Sequence, residues 1–163
     1  MRVLGIDLGA KRIGVAVSDP TGTIASPLEV VARSGDVKRD HRRLLELAAE
    51  VGAELLVVGV PLSLDGTIGP AAQGVLEEVA ALREAAAATS VSVETYDERL
   101  TTVSAERALR DQKVRGAARR KVVDMVAAAV MLQAWLDGRA TRLGVDIADP
   151  VPEATNDQTQ TKP

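Results

Sequence analysis

The sequence predicts an α/β domain: a mixed five-stranded sheet, three antiparallel strands followed by two parallel crossovers, flanked by helices. Three observations lead there. Two short apolar strand patterns at the N-terminus are joined by residues 9–12, a connection short enough to imply an antiparallel hairpin. Residues 54–60 (Glu-Leu-Leu-Val-Val-Gly-Val) are apolar almost throughout, as expected of a strand covered on both faces. From there, helix and strand patterns alternate, which implies parallel strands joined by helical crossovers.

Taken in order, residues 2–8 read as a short buried strand broken by Gly9. Residues 13–18 form a second, ended by the turn Asp19-Pro20-Thr21-Gly22. Residues 23–32 supply a third, and Pro27 inside it predicts an edge position. Residues 40–51 place Leu44, Leu45, Leu47, Ala48 and Val51 on one helical face, with Gly52 as the stop. After the strand at 54–60 comes a loop over 61–69, and then a long Ala-rich helix over 70–88. Residues 91–96 make the fifth strand. A short helix is expected over 102–109 and a mostly buried one over 119–136. Residues 1–143 therefore read as a single domain. Residues 144–163 are polar and rich in Pro, Thr, Gln and Asp, and read as a disordered tail.

Composition removes several chemistries. The 163 residues contain no Cys, which excludes disulfides, thiolate zinc sites and Cys nucleophiles. His41 is the sole histidine, so a multi-His metal site is impossible, and its place among basic residues at a helix start suggests a surface role. Tyr96 and Trp135 are the only aromatics, too few for rows of stacked bases. Carboxylates, hydroxyls, Lys and Arg remain. The net charge of −3 is unevenly spread: residues 144–163 carry all of it, whereas 107–121 holds seven basic residues against Asp111. A neutral body with one basic stretch suits local phosphate contacts, although a solvated helix face would look the same. The N-terminus enters a strand pattern at once and no apolar run reaches bilayer length, so a cytoplasmic protein without a membrane segment is expected.

Three acidic residues stand out. Asp7 ends a buried strand, where a carboxylate is costly unless it is paired, hydrogen-bonded or bound to a cation; it could also simply close the turn onto Gly9. Glu98 follows the last strand in Asp97-Glu98-Arg99-Leu100-Thr101-Thr102, at a strand end where ligands collect in α/β sheets; helix capping is the alternative. Asp124 interrupts an apolar helix, and Lys121, three residues earlier, is a candidate partner. Either Asp97 or Glu98 can face the centre of the fold, since alternation along an extended segment admits one of the two; Glu98 is preferred.

Four segments in order resemble one family. Residues 5–19 (Gly-Ile-Asp-Leu-Gly-Ala-Lys-Arg-Ile-Gly-Val-Ala-Val-Ser-Asp) look like the opening of the YqgF/RuvX family. Val58-Gly59-Val60-Pro61-Leu62 with Asp65-Gly66, then residues 97–102, then Lys121-Val122-Val123-Asp124 continuing into Ala127-Ala128-Ala129, resemble its further motifs. The resemblance covers residues 2–136 and leaves the tail outside. It implies a ribonuclease H-like fold in which Asp7, Glu98 and Asp124 converge as catalytic and metal-binding residues. It also implies a metal-dependent endonuclease using two Mg²⁺ or Mn²⁺ ions, acting in 5′-end maturation of precursor 16S ribosomal RNA. The alternatives are a Holliday-junction resolvase acting on branched DNA and a catalytically silent nucleic-acid-binding or ribosome-assembly factor. Lys11, Arg99, Thr101 and Lys121 would hold substrate phosphates, and Arg115, Arg119 and Arg120 would track the backbone. The partner is nucleic acid, and the protein is a monomer or a homodimer. A similar Asp-x-Gly hairpin opens sugar-kinase and actin-like ATPases, but these are expected to need a second comparable domain for which the length leaves no room.

Overall fold

The computed structural model describes residues 1–100 and 116–142. These form β1 (Arg2–Leu8), β2 (Arg12–Ser18), β3 (Ala25–Ala32), α1 (Val37–Val51), β4 (Ala53–Val60), α2 (Pro70–Ala86), β5 (Ser92–Asp97), a 3₁₀ turn (Glu98–Leu100) and α3 (Ala117–Arg142). The sheet order is β3-β2-β1-β4-β5. β1–β2 and β2–β3 pair antiparallel, whereas β1–β4 and β4–β5 pair parallel. The predicted sheet is the observed one.

Alternation along the central strands divides the core in two. Leu4, Ile6, Ile13, Val15, Leu56 and Val58 meet Leu44, Leu47 and Ala48 of α1 and Val79 and Leu82 of α2. On the other face Val3, Ala16, Leu55 and Val57 meet Ala128, Met131, Leu132, Trp135 and Leu136 of α3. Strands β1 and β4 are thus covered on both sides, which explains their near-continuous apolar runs. Each fully buried Leu, Ile or Val contributes on the order of 1.5–3 kcal/mol of transfer free energy.

The element ends have local causes. β3 is an edge strand, as Pro27 predicts, and the register slips beside the proline: Val15 pairs with Glu29 but Ala16 with Pro27. α1 starts earlier than its apolar pattern because Asp36 caps it, accepting from the Lys38 backbone N–H at 3.0 Å. It stops at Gly52, as expected. α2 begins at Pro70, which needs no amide partner there. α3 runs on to Arg142, past the expected end at 136. The expected helix over 102–109 and the tail over 144–163 lie outside the described residues.

One expectation is overturned. His41 is not a surface residue: it is 2% exposed, and its Nε2 lies 3.1 Å from Glu78 Oε1. Helical spacing puts Asp40 and His41 on the inward face of α1 with Leu44, Leu47 and Ala48, while Lys38, Arg39 and Arg42 face out. Burial there is tolerated because the polar groups satisfy one another. Arg33 donates to both Glu78 oxygens at 2.6 and 2.9 Å, and Asp40 accepts from the Ser34 amide and hydroxyl at 3.0 and 2.7 Å. Arg33 also braces the β1–β2 turn: its Nε donates to Gly9 O and its backbone N–H to Lys11 O, both at 3.0 Å. Among the described residues no helix is long and apolar enough to cross a membrane.

Candidate active site

Asp7 is the last but one residue of β1, on the central strand of the sheet. Alternation with Val3 puts its side chain on the face that α3 covers. Its neighbours in register are both glycines. Asp7 pairs with Gly14 of β2, and on the other side Gly59 of β4 follows directly after the Ile6–Val58 pair. The space that two Cβ atoms would occupy is filled by other groups. The backbone carbonyl of Asp124 sits against Gly14, and the side chain of Glu98 lies over Gly59. The row Gly14–Asp7–Gly59 is therefore a seat. It lets α3 descend on one side of Asp7 and the Glu98 side chain fold in on the other.

Asp7 and Glu98 are buried, at 6% and 3% exposure. Asp97, the neighbour that could have taken the place of Glu98, is committed elsewhere. It accepts from Arg99 Nε at 3.0 Å and Nη2 at 2.6 Å, and these bonds hold its carboxyl below the usual carboxylate range. Of the two neighbours Glu98 is the buried one, while Asp97 turns to Arg99. Arg99 in turn lies across the loop after β4, with Nη1 3.5 Å from Leu64 O. That loop closes on itself through Ser63 N–H to Thr67 O and Gly66 N–H to Ser63 O, at 3.1 and 2.8 Å.

Asp124 corrects a second expectation. Its partner is not Lys121, which is exposed, but Arg12, whose Nε donates to Asp124 Oδ2 at 2.9 Å. Arg12 precedes Gly14 by two positions and so shares its face of β2, under the first turns of α3. Sequence reasoning passed over Arg12. The signal was its place two residues before a glycine in the opening motif, but only the packing of α3 on β2, 112 positions away, gives it meaning. Lys11 is exposed at the tip of the hairpin turn, and Arg119, Arg120 and Lys121 are exposed on the first turns of α3 leading to Asp124. Thr101 and Arg115 lie outside the described residues.

The donor set around Asp7 is carboxylate oxygen, the ligand type of Mg²⁺ and Mn²⁺, so the residues present suit a hard divalent ion. Among the described residues no three acidic or histidine side chains already form a cage for one. The Asp124 carboxylate is bonded to Arg12.

The model of the family described as RuvX, Holliday junction resolvase, matches residues 1–138, a span that includes every residue of this site. The chain belongs to the RuvX family. Among curated RuvX relatives, a protein of Mycobacterium sp. (strain KMS) is 46% identical over 142 residues, covering 87% of this chain and 83% of the relative. One of Mycobacterium tuberculosis (strain ATCC 25177 / H37Ra) is 49% identical over 138 residues, covering 85% and 79%. Both carry the name "Putative pre-16S rRNA nuclease". Among solved structures, Thermus thermophilus RuvC in complex with a Holliday junction substrate superposes with a TM-score of 0.56 at 24% identity, covering 88% of this chain and 96% of that one. The fold of this RuvX-family chain is accordingly ribonuclease H-like.

Proposed function

We propose that this RuvX-family protein is a metal-dependent nuclease that hydrolyses phosphodiester bonds, and that it acts in 5′-end maturation of precursor 16S ribosomal RNA. The observation that carries this reading is the glycine-flanked seat, which gathers Asp7, Glu98 and the α3 turn bearing Asp124 at one place on the sheet. The names of the curated relatives support the RNA substrate. The family description supports a second reading, resolution of branched DNA.

Hydrolysis joins a water oxygen to phosphorus, breaks the bond to the leaving oxygen, and moves a proton from the water to that oxygen by way of solvent or a side chain. Asp7, Glu98 and Asp124 would hold one or two divalent ions, Mg²⁺ or Mn²⁺. Such ions lower the pKa of a bound water and neutralise charge on the leaving oxygen. The protein's own residues do the rest. Burial of Asp7 and Glu98 keeps their orientation fixed, which counts because positioning supplies much of the rate. Arg99, oriented by Asp97, presents a guanidinium at the strand end for a phosphate oxygen. Lys11, Arg119, Arg120 and Lys121 line the approaches and bind backbone phosphates without reading sequence.

The test is cleavage of labelled precursor 16S RNA and of a four-way DNA junction, side by side, in Mg²⁺ or Mn²⁺ and in EDTA, with Asp7→Asn as control. Metal-dependent cutting of the RNA, lost in Asp7→Asn, is the expected result. Cutting confined to the junction would replace the RNA reading with the second one. Folded protein that binds either substrate and cuts neither would refute both and leave a silent binding factor.

A further inference from the structure

Arg12 holds a carboxylate that the nuclease reading gives to a metal ion. The bond is single: Nε donates to Oδ2 at 2.9 Å, and the two side chains retain 23% and 21% exposure. Among the described residues, neither Nη of Arg12 donates to any group, and Asp124 Oδ1 accepts from none. Guanidinium offers five N–H donors in a fixed fork, so four meet no acceptor among the described residues. A one-point ion pair that water can reach is worth little and is readily exchanged. Contrast Arg33, whose guanidinium is clamped on both oxygens of Glu78 and on Gly9 O. One arginine is built in; the other is held by a single contact beside the site.

Its placement supports a role. Arg12 begins β2, where its carbonyl accepts from the Gly9 N–H at 3.0 Å and closes the turn that follows Asp7. The side chain shares a sheet face with Asp7 and Gly14, under α3. A positive charge there offsets the mutual repulsion of the acidic residues when no ion is present. A divalent cation held by Asp124 would compete for the same oxygen, and a guanidinium freed from Asp124 would remain tethered to the rim of the site.

We propose that Arg12 is a resident counter-cation for Asp124, that a divalent ion displaces it, and that the released guanidinium then holds a phosphate oxygen of the substrate. The exchange makes no covalent change: one N–H···O bond to carboxylate is replaced by one to phosphate. It rests on the metal-dependent reading above and names a residue that binds substrate only once the metal is in place.

The experiment uses the full chain and Mg²⁺, with calorimetry to measure ion uptake and ¹⁵N NMR of arginine Nε–Hε groups to watch Arg12. The Arg12 signal is assigned by its loss in Arg12→Lys. In EDTA it should be protected and shifted from its position in Asp124→Asn, and saturating Mg²⁺ should move it to that position. In steady-state cleavage, Arg12→Gln should raise KM about tenfold, as expected for loss of a charged hydrogen bond to phosphate. It should also tighten Mg²⁺ by about two- to fivefold, because its competitor is gone. A signal that stays in its EDTA position while calorimetry shows Mg²⁺ bound overturns the exchange and leaves the metal reading intact. An unchanged KM overturns the phosphate role. Absence of Mg²⁺ uptake by the wild-type protein, with or without nucleic acid, would overturn the metal reading and the exchange together.

Discussion

A methyl group added at Gly59 and one added at Gly14 meet different neighbours, and the pair tests whether the glycine seat serves the fold or the chemistry. At Gly14 the new Cβ would run into the backbone carbonyl of Asp124 and approach the Ala128 side chain at 3.5 Å. Backbone in the middle of a packed helix cannot swing aside, so α3 must lift from β2. Overpacking of this kind costs about 1–3 kcal/mol. For a chain of this size each kcal/mol lowers Tm by about 2–4 °C, so Gly14→Ala should melt about 2–12 °C early. At Gly59 the colliding atoms are the Glu98 carboxylate and its Cγ, side-chain atoms that can be pushed off their rotamer without moving a helix backbone. The strain is about 1 kcal/mol for an off-rotamer side chain, and about half of it is offset by replacing a strand glycine with alanine. Gly59→Ala should therefore melt within about 2 °C of wild type. Its carboxylate, however, would be displaced by about 1 Å or more, and a misplacement of that size costs about 10²-fold in rate. Thermal melts monitored by circular dichroism and single-turnover cleavage measure the two effects separately. The reasoning is refuted if Gly59→Ala cuts at the wild-type rate, since Glu98 would then not need its place, or if it loses as much stability as Gly14→Ala.

Three other outcomes are expected. Glu78→Ala strips Arg33 and His41 of their common partner inside the α1–α2 face and should destabilise by about 2–4 kcal/mol, measured by urea unfolding. Burial by itself would raise the pKa of Glu78, but the Arg33 bond and charge outweigh it and the pKa is lowered; in Asp40 the Ser34 and Arg33 bonds likewise outweigh burial. Carboxylates whose pKa falls on folding give their full stabilisation above their unfolded values, about 4, and lose it as pH drops through the lower folded ones, so unfolding midpoints should decline below about pH 4.5 and do so less steeply in Glu78→Gln. Arg99→Ala should weaken substrate binding by about tenfold in filter binding while leaving Tm nearly unchanged, because its ion pair with Asp97 is solvent-exposed.

Much of this architecture was legible in the chain. The hairpin, the doubly covered strand and the edge proline each rest on neighbours within a few residues, and period and turn chemistry act at that range. Gly52 and Pro70 mark a helix end and a helix start for the same reason. The acidic residues at 7, 98 and 124 were visible as carboxylates where a strand ends or a helix is otherwise apolar, and the ordered motifs around them pointed to one family.

What the chain did not disclose concerns partners far apart in sequence. Local spacing offered Lys121 to Asp124, because three residues along a helix are neighbours; the packing of α3 onto β2 supplied Arg12 instead, from 112 positions away. His41 looked like part of a basic surface cluster until the pairing of α1 with α2 buried it against Glu78. Gly14 and Gly59 stand in segments the sequence already singled out, but their purpose emerged only when the sheet set them on either side of Asp7. Residue types and their periods specify the strands and helices, because those forces act over a turn or a few residues. Which side chains meet at the site depends on strand register and on how closely one helix can approach, and only the closed tertiary structure sets both.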